Sequence, residues 1–466
     1  MKFSIKEISF FERDVRLRMP FRFGIVTLTE APQAFVRARI RLENGKEAEG
    51  AAAELLAPKW FDKNPALSNE DNFEQLRISM RQARAAYLTG GENTAYGHSR
   101  PRVGLVENFG PALLDRALLD ALCRASGVSF YEAVRTNLPR ISFSGLNMNL
   151  FLAGLEPANQ IAARHTVGLV DPITSLDNEA PVRDGLPETL EEVIATYGQR
   201  WFKLKVGGDV KADVERLSAI ASVLDRIRDP YQASLDGNEQ YEDVGGVADL
   251  WDAVKAEPRL KRLASSVVFI EQPIKRQNAL PSIDNTFGEI ARQFDVTRQR
   301  IRQIETKALI QLLTVPVIID ESDDSIDAFP RAKALGYRGV SSKTCKGLYK
   351  SLINAARCKA WGEGYFMTGE DLTIQAGIAL QQDLALVSLL GLTHVERNGH
   401  HYVNGMAGLP VHEQERFLAE HDDLYEQSHG AVRLRIKGGM IQMKSLDCPG
   451  FASRAVPDWD AMRRMK

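Results

Sequence analysis

Lys203 and Lys205 bracket a leucine in the run Trp201-Phe202-Lys203-Leu204-Lys205-Val206. A stretch this apolar reads as a strand. In a strand residues two apart share a face, so both lysines point one way while Phe202, Leu204 and Val206 point the other. An isolated Lys-x-Lys is most simply a pair of surface lysines whose stems lie along apolar surface. Three later strand candidates change that reading, because each ends in an acid: Ala233-Ser234-Leu235-Asp236, Val267-Val268-Phe269-Ile270-Glu271 and Val317-Ile318-Ile319-Asp320. A fourth, Gly339-Val340-Ser341-Ser342-Lys343, ends in another lysine. Carboxylates on three successive strand ends form an oxygen-rich set suited to one hard divalent cation, magnesium, that keeps some of its water.

The assortment has a chemical logic. Removing the proton next to a substrate carboxylate gives an enediolate with its charge on two oxygens, and a cation bound to that carboxylate stabilises the charge as it develops. A lysine of ordinary pKa, about 10.4, is a poor base near neutrality, but a neighbouring ammonium and a divalent cation both disfavour its protonated form. Lys203 is therefore expected to tune Lys205. With Lys343 across the pocket, one lysine removes a proton and the other returns it on the opposite face, which racemises or epimerises; one productive base would eliminate or cycloisomerise instead.

Such residues need elements that bring strand ends together, and a parallel barrel does so at its C-terminal rim. From about residue 140 short apolar strands alternate with amphipathic helices, the texture of βα units, with Gly364-Tyr365-Phe366-Met367 as a further strand. Before that, residues 3 to 55 read as antiparallel strands with a hairpin turn at Glu43-Asn44-Gly45. The run from Pro111 to Leu122 has helical spacing, with Gly127 as its stop. The 466 residues divide into an α+β domain over 1–139, a barrel over 140–398 and a C-terminal segment over 399–466 that folds back on the first domain. Lys+Arg number 59 and Asp+Glu 61, so no overall field draws the chain to nucleic acid or an anionic membrane. The N-terminus lacks a signal peptide's apolar centre and the stretch near Leu384 to Leu392 is too short to span a bilayer, so a soluble, cytoplasmic protein is expected. The four cysteines lack CxxC spacing and read as reduced thiols. His400 and His401, adjacent and therefore on opposite faces of a strand, read as loop or packing residues.

Lys203-Leu204-Lys205, Asp236-Gly237-Asn238, Glu271-Gln272-Pro273, Asp320-Glu321-Ser322 and Lys343 together resemble the motifs of the enolase superfamily, in its muconate-lactonizing-enzyme-like subgroup. Met19-Pro20-Phe21-Arg22-Phe23-Gly24 and Gly50-Ala51-Ala52-Ala53-Glu54 look like the two capping-domain loops that close on substrate. The resemblance implies a capping domain on a modified (β/α)7β barrel, with Asp236, Glu271 and Asp320 as magnesium ligands and Lys205 and Lys343 as bases. It also implies supporting or substrate-binding roles for Asn238, Glu321, Phe21 and Phe23, a small carboxylate substrate and a symmetric homo-oligomer. Thr368-Gly369-Glu370-Asp371 carries no histidine, so the mandelate-racemase-like dyad is absent. Glu396 and Asn398 keep the spacing, though not the residues, of the Asp-x-Asp by which similar dipeptide epimerases hold an ammonium group. Glu370, Asp371 and Glu396 read either as an acidic pocket for a cationic substrate group or as caps and hydrogen-bond partners. Dehydration of an acid sugar or hydroxy acid is the alternative reaction.

The interval from Glu271 to Asp320 is far longer than one βα unit of about 25–30 residues, so a helical insertion is expected at about 281–314. Within it, Thr286 to Leu309 resembles the promoter-reading helix-turn-helix of primary bacterial sigma factors, with Arg298, Arg300, Arg302 and Lys307 on the second helix. A DNA-binding or regulatory protein using 286–312 on a barrel scaffold is the alternative function. The structural alternative is a helical hairpin outside the barrel, with Ile301, Ile304, Ala308 and Leu309 packed inward.

Overall fold

The structure, a computed structural model, describes residues 1–23, 26–280, 306–308, 310–370, 375–398 and 401–465. The alternating segments at the start of the chain form long antiparallel strands, Phe3–Phe23, Val26–Leu42 and Glu47–Leu55, with the second in the middle. Ala34, Val36, Ala38 and Ile40 turn one face of the middle strand into the core. The helix Leu105–Ser126 packs on the sheet, and small residues are required where it does. A Cβ added to Gly50 would lie 2.2 Å from Ala117 O and Ala121 N, so strand and helix backbones touch there.

That helix begins at Leu105, six residues before the proline that the apolar run led with, and Pro111 lies inside it. Proline has no N–H to give the carbonyl four residues back, which is that of Glu107. Ser79, on the neighbouring helix Asn69–Leu88, donates to Glu107 O at 3.0 Å and accepts from Gly110 N at 3.0 Å, replacing the missing bond. Gly127 ends the helix in the left-handed region, with φ of 71°.

Eight parallel strands form the barrel: Gln160–Val167, Trp201–Lys205, Gln232–Asp236, Val267–Glu271, Val317–Ile319, Gly339–Ser342, Phe366–Gly369 and His394–Glu396. The eighth closes on the first through His394↔Ala162, Val395↔Ala163 and Glu396↔Arg164. The first strand lies outside the sequence-read set, and the seventh starts at Phe366 rather than Gly364. Gly362 and Gly364, with φ of 88° and 91°, turn the chain just before it. The long insertion expected between the fourth and fifth strands lies largely outside the described residues, over 281–305 and 309. Among the described residues no helix is long and apolar enough to cross a membrane.

The last part of the chain joins both layers. Met440–Gln442 pairs antiparallel with the first barrel strand, and Arg463–Arg464 pairs with the first strand of the N-terminal sheet. Phe451 stacks on Phe130 at 3.9 Å. One apolar core runs from the N-terminal sheet through the long helix to the barrel helices Leu348–Trp361 and Ile378–Leu389.

Because Ser79 supplies the bond that Pro111 cannot, Ser79→Ala is expected to leave the buried Gly110 N–H and the Glu107 carbonyl without this partner and to cost about 1–3 kcal/mol. Urea denaturation measures it; an unchanged midpoint would mean that Glu107 O finds another donor.

Candidate active site

Register sets the level of the rim residues. Lys205 pairs with Asp236, Asp236 with Glu271, and Glu271 with Ile318, two residues before Asp320. The chain then leaves the strands by tight turns. Asn238, Glu239 and Gln272 take left-handed φ values of 39°, 68° and 30°, strain that non-glycine residues adopt only where the surroundings impose it. Gly237 has no freedom to be larger, since a Cβ would meet Pro273 Cα at 2.5 Å. The Gln272 side chain accepts from Asp320 N at 2.9 Å and Ser322 N at 3.0 Å, so the fourth strand's turn fixes the acid of the fifth.

Lys203 sits at the centre of the group. Its Nζ lies 2.9 Å from Asp236 Oδ2, 2.8 Å from Glu271 Oε2, 2.5 Å from Glu370 Oε2 and 3.2 Å from Glu396 Oε2. Burial opposes this charge, but the four carboxylates outweigh it and hold the lysine well above its ordinary pKa. Lys205 donates to Asp236 Oδ2 at 2.5 Å and to Asn238 Oδ1. Across the barrel Lys343 donates to Asp320, as does Ser341 Oγ, and Lys346 Nζ lies 3.2 Å from Asp320 Oδ1. Burial favours the neutral carboxyl of Asp320, yet Lys343, Lys346 and Lys203 hold it well below the usual carboxylate range. Burial likewise opposes the charge of Lys343, whose pKa Asp320 nonetheless keeps raised.

Glu271 is the exception. It is fully buried, and neither of its oxygens has a hydrogen-bond partner; the contact with Lys203 is close but poorly directed. Burial, then the neighbouring Glu370, push its pKa well up. An orphaned buried carboxylate beside Asp236 and Asp320 is the donor set that a hard cation fits. Among the described residues no three acids are already arranged as a metal cage. The ammonium of Lys203 lies between Asp236 and Glu271, and that of Lys343 holds Asp320.

Glu370 and Glu396 are turned inward. Glu370 accepts from Arg164, from Thr368 Oγ1 at 3.0 Å and from Lys203; Glu396 accepts from Thr166 Oγ1 at 2.5 Å. Asn398 Oδ1 accepts from Thr166 N at 2.7 Å and so holds the first barrel strand. Asp371 lies outside the described residues, as does His400. His401 is buried, its ring edge-on to those of His165 and Tyr402. Glu321 Oε1 accepts from Asn238 Nδ2 and from Lys63, both at 3.1 Å. Phe21 packs on Tyr402 with ring centroids 4.3 Å apart, while Phe23 lines a cleft with Lys59, Phe61, Lys63, Glu239 and Arg276.

Sequence reasoning missed Arg164, Thr166, Gln272, Lys346 and Lys63. Arg164 and Thr166 carried a signal, the same alternate spacing as Lys203 and Lys205, in a strand that does not end in an acid or a lysine. Lys346 lies in a single 3-10 turn, Thr344–Lys346, and Lys63 in a loop, where no periodicity marks a residue.

The family profile Sigma-70, region 4 matches residues 284–312. No curated protein sequence matches the chain. Among solved structures, muconate lactonizing enzyme from Mucobacterium smegmatis, complexed with muconolactone, is 18% identical over 100% of both chains, with a TM-score of 0.60. A member of the enolase superfamily from Roseovarius nubinhibens ISM, complexed with magnesium, is 15% identical over 100% of this chain and 99% of that one, with a TM-score of 0.58. The L-Ala-D/L-Glu epimerase from Bacillus subtilis, in a substrate-liganded complex, is 14% identical over 97% and 99%, with a TM-score of 0.57. At such identities the likeness speaks for the fold, and the fold of this chain is that of the enolase superfamily: a capping domain on a (β/α)7β barrel.

Proposed function

We propose that the protein is a magnesium-dependent enzyme that removes the proton alpha to the carboxylate of a small substrate, through an enediolate, and so racemises, epimerises or cycloisomerises it. The observation that carries this reading is the rim itself. Acids from three successive strands stand beside lysines from two opposed strands, all buried, and the central acid, Glu271, lacks a hydrogen bond. Asp236, Glu271 and Asp320 would hold the cation, which supplies charge stabilisation for the substrate carboxylate as the proton leaves. Binding there requires Asp236 and Asp320 to exchange part of their contact with Lys203, Lys205 and Lys343.

Lys205 and Lys343 are the groups placed to move protons, one from each side of the barrel. Asn238 aims Lys205 through its carbonyl oxygen, and its own amide is anchored on Glu321. Trp60 of the capping domain roofs Lys343, with Nζ 4.4 Å from the ring centroid, and excludes water from that side. Glu370 and Glu396 support the hydrogen-bonding reading over the acidic-pocket one, because Arg164, Thr166 and Lys203 already take their charge. The neighbours complexed with muconolactone and with magnesium support the substrate class and the cation.

Deuterium incorporation at the α-carbon in heavy water tests the reading, across N-acyl amino acids, dipeptides, hydroxy acids and lactone precursors. Exchange is expected to need magnesium and to fall by about 10²–10⁴ in Lys205→Ala. A parallel fall in Lys343→Ala marks racemisation, whereas exchange that survives chelation or Lys205→Ala overturns the mechanism. Asp236→Asn is expected to lose metal affinity and exchange together, read by calorimetric titration with magnesium.

The profile match over 284–312 supports a second activity, binding of duplex DNA by the insertion between the fourth and fifth barrel strands. Retention on duplex DNA should then fall with salt and flatten, by a log–log slope of about 3, when Arg298, Arg300 and Arg302 are all changed to Ala. Equal retention of both proteins, or none, removes this reading.

A further inference from the structure

The long arginines Arg116, Arg164, Arg397 and Arg433 are all fully buried. The first three each meet a buried carboxylate: Arg116 meets Glu54 at 3.0 Å, Arg164 meets Glu370, and Arg397 meets Asp383 at 2.6 Å. Arg433 is different. Its Nη2 donates to Asn404 Oδ1 and, at 3.4 Å, to His429 O, while Nε and Nη1 have no partner. Among the described residues no acid forms an ion pair with it. Glu426 and Asp184 act on it only from beyond ion-pair distance, and a buried charge without a direct partner is costly.

Arg433 lines a cleft of about 620 Å³ between the loop that follows the first barrel strand and the hairpin of Tyr425–Ser428 with Ala431–Leu434. The hairpin turns through His429 and Gly430, with φ of 46° and 77°, the left-handed pair of a tight two-residue turn. His429 is set against the loop, where a Cβ on Gly185 would lie 2.9 Å from its ring. Arg183, exposed on the loop, adds a second cation at the rim.

The acids that share the cleft are committed elsewhere. Glu188 accepts from Asn178 Nδ2, Val182 N and Arg183 N at 2.8, 2.9 and 2.7 Å. Glu192 accepts from Glu188 N at 2.8 Å and from Thr189 N at 3.1 Å, completing the cap of its helix. Glu426 reaches Arg435 at 3.7 Å. None of them reaches the guanidinium.

We propose that this cleft is a second ligand site, separate from the barrel rim, that binds an oxyanion, carried by a phosphate or a carboxylate group, on Arg433 with Arg183 at the entrance. The oxyanion supplies a direct counter-charge to the one fully buried arginine in the set without a carboxylate in contact. Nothing in this site depends on the reaction proposed for the rim.

The test uses the full chain with inorganic phosphate and with succinate as probes, read by thermal unfolding. Wild type is expected to show a saturable rise of about 2 °C or more with at least one probe at millimolar concentration. Phosphate alone identifies the phosphate source, and succinate alone the carboxylate source. The rise should vanish in Arg433→Met and persist in Lys205→Ala, which separates the cleft from the rim. No saturable rise in wild type, or an equal rise in Arg433→Met, overturns the proposal. Should Arg433→Met fail to fold, amide exchange of wild type decides: protection by the effective probe confined to residues 175–189 and 425–434 supports the site, and protection elsewhere sinks it.

Discussion

Everything at the barrel rim depends on the neutralisation of buried charge. Asp236, Glu271, Asp320, Glu370 and Glu396 are buried acids, and Lys203, Lys205, Lys343, Lys346 and Arg164 are buried cations in contact with them. Neither set is tolerable in a protein interior without the other. Lys203 is the keystone because it touches acids from four strands, so its removal would leave like charges facing one another across the barrel axis. The neutral groups around the rim, Gln272, Ser341 and Thr166, fill the hydrogen-bonding capacity that the ion pairs leave over.

The capping domain takes part in the same neutralisation. Lys63 reaches from its loop to Glu239 Oε2 at 2.6 Å and to Glu321. Arg276 grips Glu239 from the barrel side and donates to the carbonyls of Trp60 and Phe61, each at 3.0 Å. Glu239 is thus shared by a cation from each domain. Farther in, Arg116 joins Glu54 of the sheet to Thr344 of the barrel. These contacts place Trp60 over Lys343, so the roof of the site is positioned by charge rather than by apolar packing alone.

Much of this was legible in the sequence because strands advertise their ends. An apolar run that stops at an acid or a lysine, repeated around a barrel, locates the rim without any knowledge of side-chain partners, and Lys203, Lys205, Asp236, Glu271, Asp320 and Lys343 do stand together there. What stayed hidden is pairing. Nothing in Glu370 announces that Arg164, a residue of a strand distant in sequence, will consume it. Nor does Lys346 reveal, from a 3-10 turn, that it faces Asp320. The sequence left the acidic-pocket and hydrogen-bonding readings of Glu370 side by side for that reason, since charge read along a chain ignores the partner supplied across the fold. Nor does the sequence show that the long helix runs through Pro111, because the hydrogen bond that proline breaks is replaced by Ser79 from another element.

The bare contact at Gly50 has a mechanical consequence. With no side chain between the Glu47–Leu55 strand and the Leu105–Ser126 helix, there is no soft layer in which the two could slide. The same strand is pinned along its free edge, by Asp120 at Ala51 N and by Gln382 of the barrel at Ala51 O, each at 2.8 Å. Sheet, long helix and the barrel helix Ile378–Leu389 are therefore held together as one stiff plate. Any yielding is left to the loop tip at 62–67, partly exposed and tied to the barrel by the Lys63 ion pairs with Glu239 and Glu321, because Trp60 and Phe61 just before it are packed in the core.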